Sequence, residues 1–508
     1  MCGIAGVSHS DYSRPVSGAT IRAMCDAIAH RGPDDSGMHV ENGVGIGMRR
    51  LSIIDLHTGK QPIANEDGTI WIVFNGEIYN YRELRSSLET RGHRFRTTSD
   101  TEVILHLFED HDVDCVKPLR GMFAFAIWDG RSKTLILARD RLGIKPLYYS
   151  QTSDGLVFAS ELKAMLAHSS VARAIDPEAV AEYFVHLCVP GHLSIYQDVR
   201  KLPPAHVLLY RNGRATVSRY WDVTPRPNNT CPEEQWIDHL QERLRRTVKL
   251  HMIADVPVGA FLSGGLDSGA VVALMASQSS APIRTFTVGF SGSVGRFDER
   301  EAARAVARRY RTDHQECLLE PDVTDIFPRI VRAFDEPFAD SSAIPNWLIC
   351  KETAQHVKVA LSGLGGDELF GGYERYSGVL LGEHYRRMPR PLRALLAKLV
   401  RALPTSGQTH LSKPWDRGFP LGQATGEAVG RFRASARLGP CHGPAHQPRG
   451  PRHHRSAGTV SPERSLARAA SPVNRLRAEG CAPSGPRNRR TPVMRSHPGG
   501  FAGLDWCQ

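Results

Sequence analysis

Ser263-Gly264-Gly265-Leu266-Asp267-Ser268 connects an apolar run, Val256-Pro-Val-Gly-Ala-Phe-Leu262, to the segment Gly269-Ala-Val-Val-Ala-Leu-Met-Ala276. The pattern predicts a buried strand, a glycine-rich turn and a helix. Two adjacent glycines let backbone N–H groups approach an anion closely, and the N-terminus of the following helix adds partial positive charge. The turn therefore suits a phosphate or pyrophosphate, although the same glycines also suit a tight strand-to-helix connection without a ligand.

Asp267 adds a carboxylate to this turn. A carboxylate does not bind phosphate unaided, but Mg²⁺ can bridge the two because it takes hard oxygen ligands together with substrate phosphates. The chain has no G-x-x-x-x-G-K-S/T sequence, so the turn is not a Walker A loop. The hexapeptide instead resembles the pyrophosphate loop, or PP-loop, of ATP pyrophosphatases, which cleave ATP to AMP and pyrophosphate while they adenylate a substrate.

Strand-like and helix-like segments alternate around this turn. A helix is predicted over Pro232–His251 and a strand over Ile283–Phe290, and a second strand runs into a glycine-rich turn within His356–Tyr373, where Asp367 is a second candidate Mg²⁺ ligand. The alternation predicts a doubly wound α/β domain, whose ligands bind beyond the carboxyl ends of the strands. The loop Phe334–Pro345 carries acidic and hydroxyl groups and also suits such a site.

The N-terminus carries a candidate nucleophile, Cys2. If the initiator Met is removed, Cys2 bears a thiol and a free α-amine on one residue. The amine titrates near pH ~8 and the thiol near ~8.5, so the amine can act as the general base of its own thiol.

Four polar clusters follow Cys2 at the ends of short β-rich runs: His30–Asp35, Arg50–Asp55, Phe74–Asn80 and Thr98–Glu102. This placement suits a layered β-sheet domain with a substrate pocket at one edge. Together with Cys2 they resemble the class II glutamine amidotransferase domain, an N-terminal-nucleophile fold with an αββα sandwich, over residues 2–205. The resemblance implies that Cys2 attacks the amide of glutamine.

The resemblance also implies roles for five further residues. Asn75 and Gly76 would form the oxyanion hole, for which a side-chain amide and an unobstructed backbone N–H are suitable donors. Arg50 would bind the carboxylate of glutamine through two parallel hydrogen bonds. Glu77 and Asp100 would lie near the ammonium group of glutamine. The later motifs Ala138–Tyr149 and Phe158–Lys163 are assigned to structure and to the interdomain face.

The two halves together resemble asparagine synthetase of the glutamine-hydrolysing type over about residues 2–410. The resemblance implies that aspartate attacks the α-phosphate of ATP to give β-aspartyl-AMP and pyrophosphate. Ammonia from glutamine would then pass through an internal tunnel and displace AMP, which gives asparagine. It further implies Mg²⁺ held by Asp267 and Asp367, a homodimer, and an ATP site formed by Leu262, Ser263, Gly264, Gly265, Asp267, Ser268, Val288, Ser362 and Gly363.

Four regions are therefore expected: an amidotransferase domain over 2–205, connecting strands and a linker over 206–231, a shortened PP-loop domain over 232–414, and a tail over 415–508. The tail holds 15 Arg, no Lys and 5 acidic residues, so it carries nearly all of the net charge of +11. Its composition predicts disorder. Two explanations are open: a reading-frame shift near residues 411 to 417, or a basic arm that binds nucleic acid.

One residue within the resemblance departs from the family pattern. Leu364 stands where the family carries an acidic residue thought to assist formation or aminolysis of the acyl-adenylate. This change and the tail leave alternatives to asparagine synthesis: an amidotransferase for another carboxylate in a biosynthetic cluster, or a chain that keeps only glutaminase activity or serves as a binding protein.

Composition excludes several other classes. No apolar run of about 18 residues predicts a membrane span, and no signal peptide is recognisable, so a cytoplasmic enzyme is expected. The ten cysteines form no C-x-x-C pair, which argues against a zinc site built on cysteines and against a secreted disulfide framework. Outside the tail the charge is balanced, so nucleic-acid binding is not expected there.

Overall fold

A computed structural model describes residues 1–225, 227, 230–290, 298–319 and 323–402. The chain divides into two compact units, of which the first contains Met1–Tyr385 and the second begins at Arg386. The predicted tail over 415–508 and the proposed frame shift near 411 to 417 lie outside the described residues.

The N-terminal domain contains twelve strands within the described residues: β1 (Gly3–His9), β2 (Asp35–Glu41), β3 (Val44–Arg50), β4 (Ile63–Ala64), β5 (Ile70–Ile78), β6 (Gly121–Asp129), β7 (Thr134–Arg139), β8 (Tyr148–Gln151), β9 (Gly155–Ala159), β10 (Arg200–Lys201), β11 (His206–Arg211) and β12 (Arg214–Arg219). Its α-helices are α1 (Gly18–Ala27), α2 (Tyr81–Thr90), α3 (Asp100–His111), α4 (Leu162–Met165) and α5 (Pro177–His186). Short 3₁₀ segments occupy Ala29–Arg31 and Asp112–Val116.

These strands form two antiparallel sheets of six, in the orders β10-β8-β9-β1-β3-β2 and β12-β11-β7-β6-β5-β4. A core that includes Ile4, Val73 and Trp128 lies between the sheets. Separate apolar clusters pack α1 and α4 on the first sheet and α3 on the second. The αββα sandwich is confirmed. Strands β11 and β12, predicted as connecting strands, extend the second sheet because β11 pairs with β7.

The C-terminal part contains four strands within the described residues: β13 (Val258–Phe261), β14 (Arg284–Phe290), β15 (Asp313–Leu319) and β16 (Val359–Leu361). The helices are α6 (Glu233–His251), α7 (Leu266–Gln278), α8 (Arg300–Tyr310), α9 (Val323–Phe334), α10 (Ala343–Thr353), α11 (Gly366–Phe370), α12 (Glu374–Arg387) and α13 (Arg390–Ala402). The second compact unit contains, among described residues, the end of α12 and α13.

The four strands form one parallel sheet in the order β15-β14-β13-β16. The strand order reverses between β13 and β16, and the loops after these two neighbouring strands therefore meet at the switch point where α/β sheets bind ligands. The doubly wound α/β fold is confirmed. The glycine-rich turns predicted after Leu262 and Leu361 both lie at this point.

Candidate active sites

Cys2 lies directly before β1, in the interior of the first sheet. Arg31 Nε donates a hydrogen bond of 2.8 Å to the Cys2 carbonyl and Arg31 Nη1 binds Glu161 at 2.8 Å, which fixes the backbone at Cys2. Cys2 Sγ lies 3.7 Å from the carbonyl oxygen of Leu51. Burial raises the pKa of the Cys2 thiol, and the positive N-terminal amine is the strongest of the opposing effects. The thiol therefore needs a base before it can attack a substrate at neutral pH.

Asn75 and Gly76 lie in the middle of β5, opposite Ala124 and Phe123 of β6. The side chain of Asn75 is fully buried, and neither its Oδ1 nor its Nδ2 has a hydrogen-bond partner among the described residues. A buried amide without partners costs on the order of 1–3 kcal/mol, which a bound ligand can recover. A Cβ atom at Gly76 would lie 2.1 Å from the carbonyl oxygen of Met122, so only glycine fits here.

Arg50 is the last residue of β3 and is 4% exposed. Its Nη2 donates to the carbonyl oxygens of Ile54 at 3.0 Å and Asp55 at 2.6 Å. A Cβ atom at Gly59 would lie 2.5 Å from the same nitrogen, so glycine leaves room for the guanidinium group. The turn after β3 thus folds back and holds the charged end of Arg50 in a fixed position.

Glu77, which is partly buried, and Asp100, which is fully buried, form a pair of neighbouring carboxylates. Asp100 begins α3 behind the N-cap Ser99, and its Oδ2 accepts the N–H of Ile78 at 2.8 Å. Burial raises the pKa of Asp100 to about 6. Burial, and then the Asp100 carboxylate, raise the pKa of Glu77 well above its usual range, while Lys145 and Arg50 oppose that rise. The pair therefore creates a buried site that favours a cation.

The loop after β13 has the geometry of an anion cradle. Gly264 has a φ of +77°, and a Cβ atom there would lie 2.5 Å from Cβ of Ala302 on α8. The hydroxyl groups of Ser263 and Ser268 are 2.9 Å apart, and Ser268 Oγ also accepts the N–H of Ser263 at 3.2 Å. These bonds close the loop over the first turn of α7, whose N–H groups have no partner within the helix.

The second loop packs directly against the first. A Cβ atom at Gly366 would lie 2.4 Å from Asp267 Oδ2, and one at Gly363 would lie 2.8 Å from the backbone nitrogen of Ser268. Asp367 lies one residue beyond Gly366, so two partly buried carboxylates belong to adjoining loops. Hard oxygen donors beside a phosphate-sized cradle fit Mg²⁺.

The remaining predicted ATP residues lie at the same edge of the sheet. Thr287 Oγ1 donates a hydrogen bond to the carbonyl oxygen of Leu262, which places Val288 at the carboxyl end of β14 beside the first loop. Ser362 and Gly363 follow β16 directly. Leu364 is 61% exposed and its backbone N–H bonds Ser362 Oγ at 3.4 Å, so its side chain has no packing role.

A cavity of about 30 Å³ lies between the two halves of the first unit. Its wall contains Glu77 from β5 at one side and Val359, Ala360 and Leu361 of β16 at the other. The rest is mainly apolar, and comprises Ile53, Tyr79, Met122, His251, Ile253 and Ala254. Burial lowers the pKa of His251, so this imidazole is neutral at physiological pH.

The acidic loop Phe334–Pro345 suits a ligand site of the α/β domain by its composition, but two of its carboxylates, those of Asp335 and Glu336, contact the N-terminal domain. Lys163 Nζ lies 3.0 Å from Asp335 Oδ1, and its backbone N–H bonds the other oxygen at 3.0 Å. Glu336 pairs with the buried Lys201. Lys163 and Lys201 of the N-terminal domain therefore hold these two carboxylates in position.

Some residues that hold the sites in place belong to the sequence motifs named above, but no individual role was predicted for them. Arg31 and Asp34 belong to the His30–Asp35 cluster, and Asp34 Oδ2 accepts the N–H of Ser52 at 2.9 Å. Asp140, from the motif assigned to structure, accepts the N–H groups of Leu142, Ile144 and Lys145 at 2.9 to 3.0 Å. The positive charge of Lys145 lowers the pKa of Glu77. The sequence did not indicate this role, because the two residues are far apart in the chain.

The sequence matches two known families along its length. Residues 1–221 match the glutamine amidotransferase domain and residues 239–466 match the asparagine synthase domain. The chain thus joins a glutamine amidotransferase domain to an asparagine synthase domain.

Named relatives extend over both halves. "Asparagine synthetase (glutamine-hydrolyzing) 1" of Bacillus subtilis is 40% identical over 80% of this chain and 64% of its own length. "Putative asparagine synthetase (glutamine-hydrolyzing) 2" of Methanocaldococcus jannaschii is 36% identical over 78% of this chain and 81% of its own length. The chain belongs to the glutamine-hydrolysing asparagine synthetase family. It spans less than two thirds of the length of the Bacillus subtilis relative.

Among solved structures, a glutamine phosphoribosylpyrophosphate amidotransferase from B. subtilis, complexed with ADP and GMP, covers 64% of this chain and 70% of its own at 16% identity. Its TM-score of 0.33 is too low to bear on the fold.

No helix among the described residues combines the length and apolar character needed to span a bilayer.

Proposed function

We propose that this chain catalyses ATP-dependent synthesis of asparagine from aspartate with ammonia taken from glutamine. The observation that carries the proposal is the cavity whose wall includes Glu77 on one side and β16 on the other. A cavity lined by residues of both halves supports a path for ammonia between them, which a glutaminase alone would not need.

In the first half-reaction, Cys2 Sγ attacks the amide carbon of glutamine after its proton passes to the α-amine that Met1 removal exposes. Asn75 Nδ2 and the N–H of Gly76 stabilise the oxyanion. Collapse of the tetrahedral intermediate breaks the C–N bond, and the leaving nitrogen takes a proton and departs as ammonia. Water then hydrolyses the thioester to glutamate and regenerates the thiol.

The substrate is positioned by charge at both ends of its backbone. Arg50, held through Nη2 by two carbonyl oxygens, binds the α-carboxylate with the rest of its fork. Glu77 and Asp100 bind the ammonium group, which supplies the cation that this pair favours. Arg31 holds the backbone of Cys2 in place by donating a hydrogen bond to the Cys2 carbonyl oxygen.

In the second half-reaction, the β-carboxylate of aspartate attacks the α-phosphorus of ATP, and the bond to pyrophosphate breaks. Ser263, Gly264, Gly265 and Ser268 surround the departing pyrophosphate at the N-terminus of α7. Asp267 and Asp367 would hold Mg²⁺, which neutralises phosphate charge when bound. The mainly apolar part of the cavity wall, with the neutral His251, favours uncharged ammonia over ammonium on the way to the acyl-adenylate, where ammonia displaces AMP.

A paired assay tests the proposal. The purified chain is given glutamine, aspartate and Mg-ATP, and glutamate, pyrophosphate and asparagine are measured together. Pyrophosphate that requires aspartate, with asparagine in equal amount, is the expected result. Glutamate without aspartate-dependent pyrophosphate would contradict asparagine synthesis and favour either another acceptor or a glutaminase alone. A panel of other carboxylates separates these two outcomes. A cytoplasmic location and a homodimer stay predictions.

A further inference from the structure

Three side chains away from both active sites direct donor atoms at one another. His93 follows α2, and His106 and Glu109 lie one turn apart on α3. His93 Nδ1 lies 3.2 Å from His106 Nδ1, His106 Nδ1 lies 2.9 Å from Glu109 Oε2, and His93 Nδ1 lies 3.5 Å from the same oxygen. Ligands of a tetrahedral ion with bonds of about 2.0 Å are separated by roughly 3.3 Å. The three distances among His93 Nδ1, His106 Nδ1 and Glu109 Oε2, from 2.9 to 3.5 Å, are close to this value.

Among the three facing atoms of this cluster, hydrogen-bond acceptors outnumber the protons available to them. His93 Nε2 lies 3.0 Å from Asp110 Oδ1, and the tautomer that donates to this carboxylate has its lone pair on Nδ1. That lone pair faces His106 Nδ1, which also faces Glu109 Oε2. One proton on His106 Nδ1 would have to serve both acceptors. A cation placed among the three atoms accepts a lone pair from each.

The outer contacts resemble those that support metal ligands. Asp110 orients His93, and Asn65 Nδ2 donates to the second oxygen of Glu109 at 2.9 Å. The Glu102 carboxylate lies 3.7 Å from His106 Nε2. A carboxylate hydrogen-bonded to the other ring nitrogen of a ligating imidazole is the usual arrangement at protein zinc sites, and Asp110 provides it for His93, whereas the Glu102 contact is longer than a hydrogen bond. His106 is 1% exposed, whereas His93 and Glu109 have 15% and 18% exposed side chains, so a fourth ligand can reach the ion from solvent.

We propose that His93, His106 and Glu109 bind a divalent transition metal ion, Zn²⁺ by ligand type, with one position left for water. Two imidazoles and one carboxylate suit Zn²⁺, whereas Mg²⁺ and Ca²⁺ prefer oxygen ligands alone. The ion would join α3 to the segment between α2 and α3. That segment ends at Ser99 and Asp100, so the ion would stiffen the approach to the carboxylate pair. The metal site does not depend on the proposed function.

Zinc binding by matched variants tests this proposal. All proteins carry Cys2→Ser, so that the N-terminal thiol does not bind the metal. Each chain is stripped with a chelator, loaded with Zn²⁺, passed over a desalting column and measured for zinc content, and the melting temperature is recorded with and without Zn²⁺. His93→Gln removes one ligand at a partly exposed position, and His111→Gln, at the end of α3, is the control.

The expected result is a zinc content that falls by about one ion per chain in His93→Gln and is unchanged in His111→Gln. Zn²⁺ should raise the melting temperature of the parent by about 3 °C or more, and not that of His93→Gln. Co²⁺ in the parent should show the visible absorption of a four-coordinate ion. Equal zinc content in the parent and His93→Gln would overturn the proposal. His106→Gln is a second variant, read only if its circular dichroism is native.

Discussion

Lys358 Nζ lies 2.7 Å from Asp34 Oδ2, and the same carboxylate oxygen accepts the N–H of Ser52. Lys358 directly precedes β16, and Ser52 follows Arg50 by two residues. The contact therefore joins the loop that positions Arg50 to the strand that leads into Ser362 and Gly363. Burial opposes ionisation of Asp34, but Lys358 and the Ser52 N–H outweigh it and lower the pKa of Asp34, so this carboxylate is charged at neutral pH.

Lys358→Met should weaken the coupling between the two half-reactions and should have little effect on the stability of the fold. The side chains of Lys358 and Asp34 are 41% and 28% exposed, and ion pairs this accessible contribute at most about 1 kcal/mol to stability. The ratio of glutamate to pyrophosphate formed should rise about twofold or more, with little change in melting temperature. Lys117→Met, which removes an exposed pair with Asp114, is the control. An unchanged ratio would show that the contact does not couple the sites.

Asn75→Ala should reduce glutaminase turnover by about 10²- to 10³-fold, the usual effect of removing one oxyanion donor. KM for glutamine should change far less, because the lost hydrogen bond forms mainly in the transition state. Since Asn75 has no protein partner among the described residues, its removal should not lower the melting temperature. Asn80→Ala is the contrasting variant, because Asn80 binds the backbone at Pro118 and Arg120 and should affect stability instead. A large loss of stability in Asn75→Ala would argue for a structural role.

Glutamine should bind more tightly as the pH rises through about 6, where Asp100 ionises. The ammonium group of glutamine needs the ionised carboxylate, and Glu77, Lys145 and Arg50 set the surrounding charge. Calorimetry in buffers of different ionisation enthalpy should detect proton release on binding near pH 6. Asp100→Asn should remove most of the affinity and move the pH dependence away from pH 6, and a dependence that stays centred on about pH 6 in this variant would contradict the assignment.

The same shift predicts the stability of the ligand-free protein. The pKa of Asp100 is higher in the folded state than its ordinary value of 3.8, so the folded state binds the proton more tightly than the unfolded state. The contribution of Asp100 to the free energy of unfolding should therefore fall as the pH rises from about 4 to about 6. Denaturant unfolding of the parent and Asp100→Asn at both pH values measures this difference, and parallel pH profiles would refute it.

Gly264→Ala should abolish ATP binding, because Gly264 has a φ of +77° and a Cβ atom there meets the backbone of Ala302 at 2.8 Å. Gly378→Ala is the matched control, since Gly378 lies within α12 and a Cβ atom there would meet nothing within 4 Å. The control should keep its ATP affinity and gain up to about 1 kcal/mol in helix propensity. Binding of a fluorescent ATP analogue by both variants is the measurement. Retention of binding in Gly264→Ala would show that the loop does not hold the phosphates.

Leu364→Glu should increase aspartate-dependent pyrophosphate formation without altering glutaminase activity. The leucine side chain is 61% exposed, so the substitution leaves no cavity and buries no charge. The family resemblance places a carboxylate here that assists the acyl-adenylate step. Leu364→Gln separates charge from size, and equal rates in all three proteins would show that the acidic residue is dispensable in this chain.

Local sequence patterns predicted elements of the PP-loop domain well, whereas the αββα sandwich was expected from the family resemblance. The helix predicted over Pro232–His251 occupies Glu233–His251, and the strand predicted over Ile283–Phe290 occupies Arg284–Phe290. Both succeeded because hydrophobic periodicity and glycine position depend on residues close in sequence. The metal cluster was missed because His93 and His106 are 13 residues apart and carry no familiar ligand spacing.

The sequence by itself determined which chemical groups this protein has: a thiol at Cys2, a side-chain amide at Asn75 and two glycine-rich loops with carboxylates. Only the tertiary structure decided which groups meet. It placed Glu77 beside Asp100, and it brought Asp335 to Lys163 rather than to the nucleotide loops. The physical reason is that burial and electrostatic contact arise between elements distant in the chain, where the order of strands and the packing of layers, and not local pattern, set the distances.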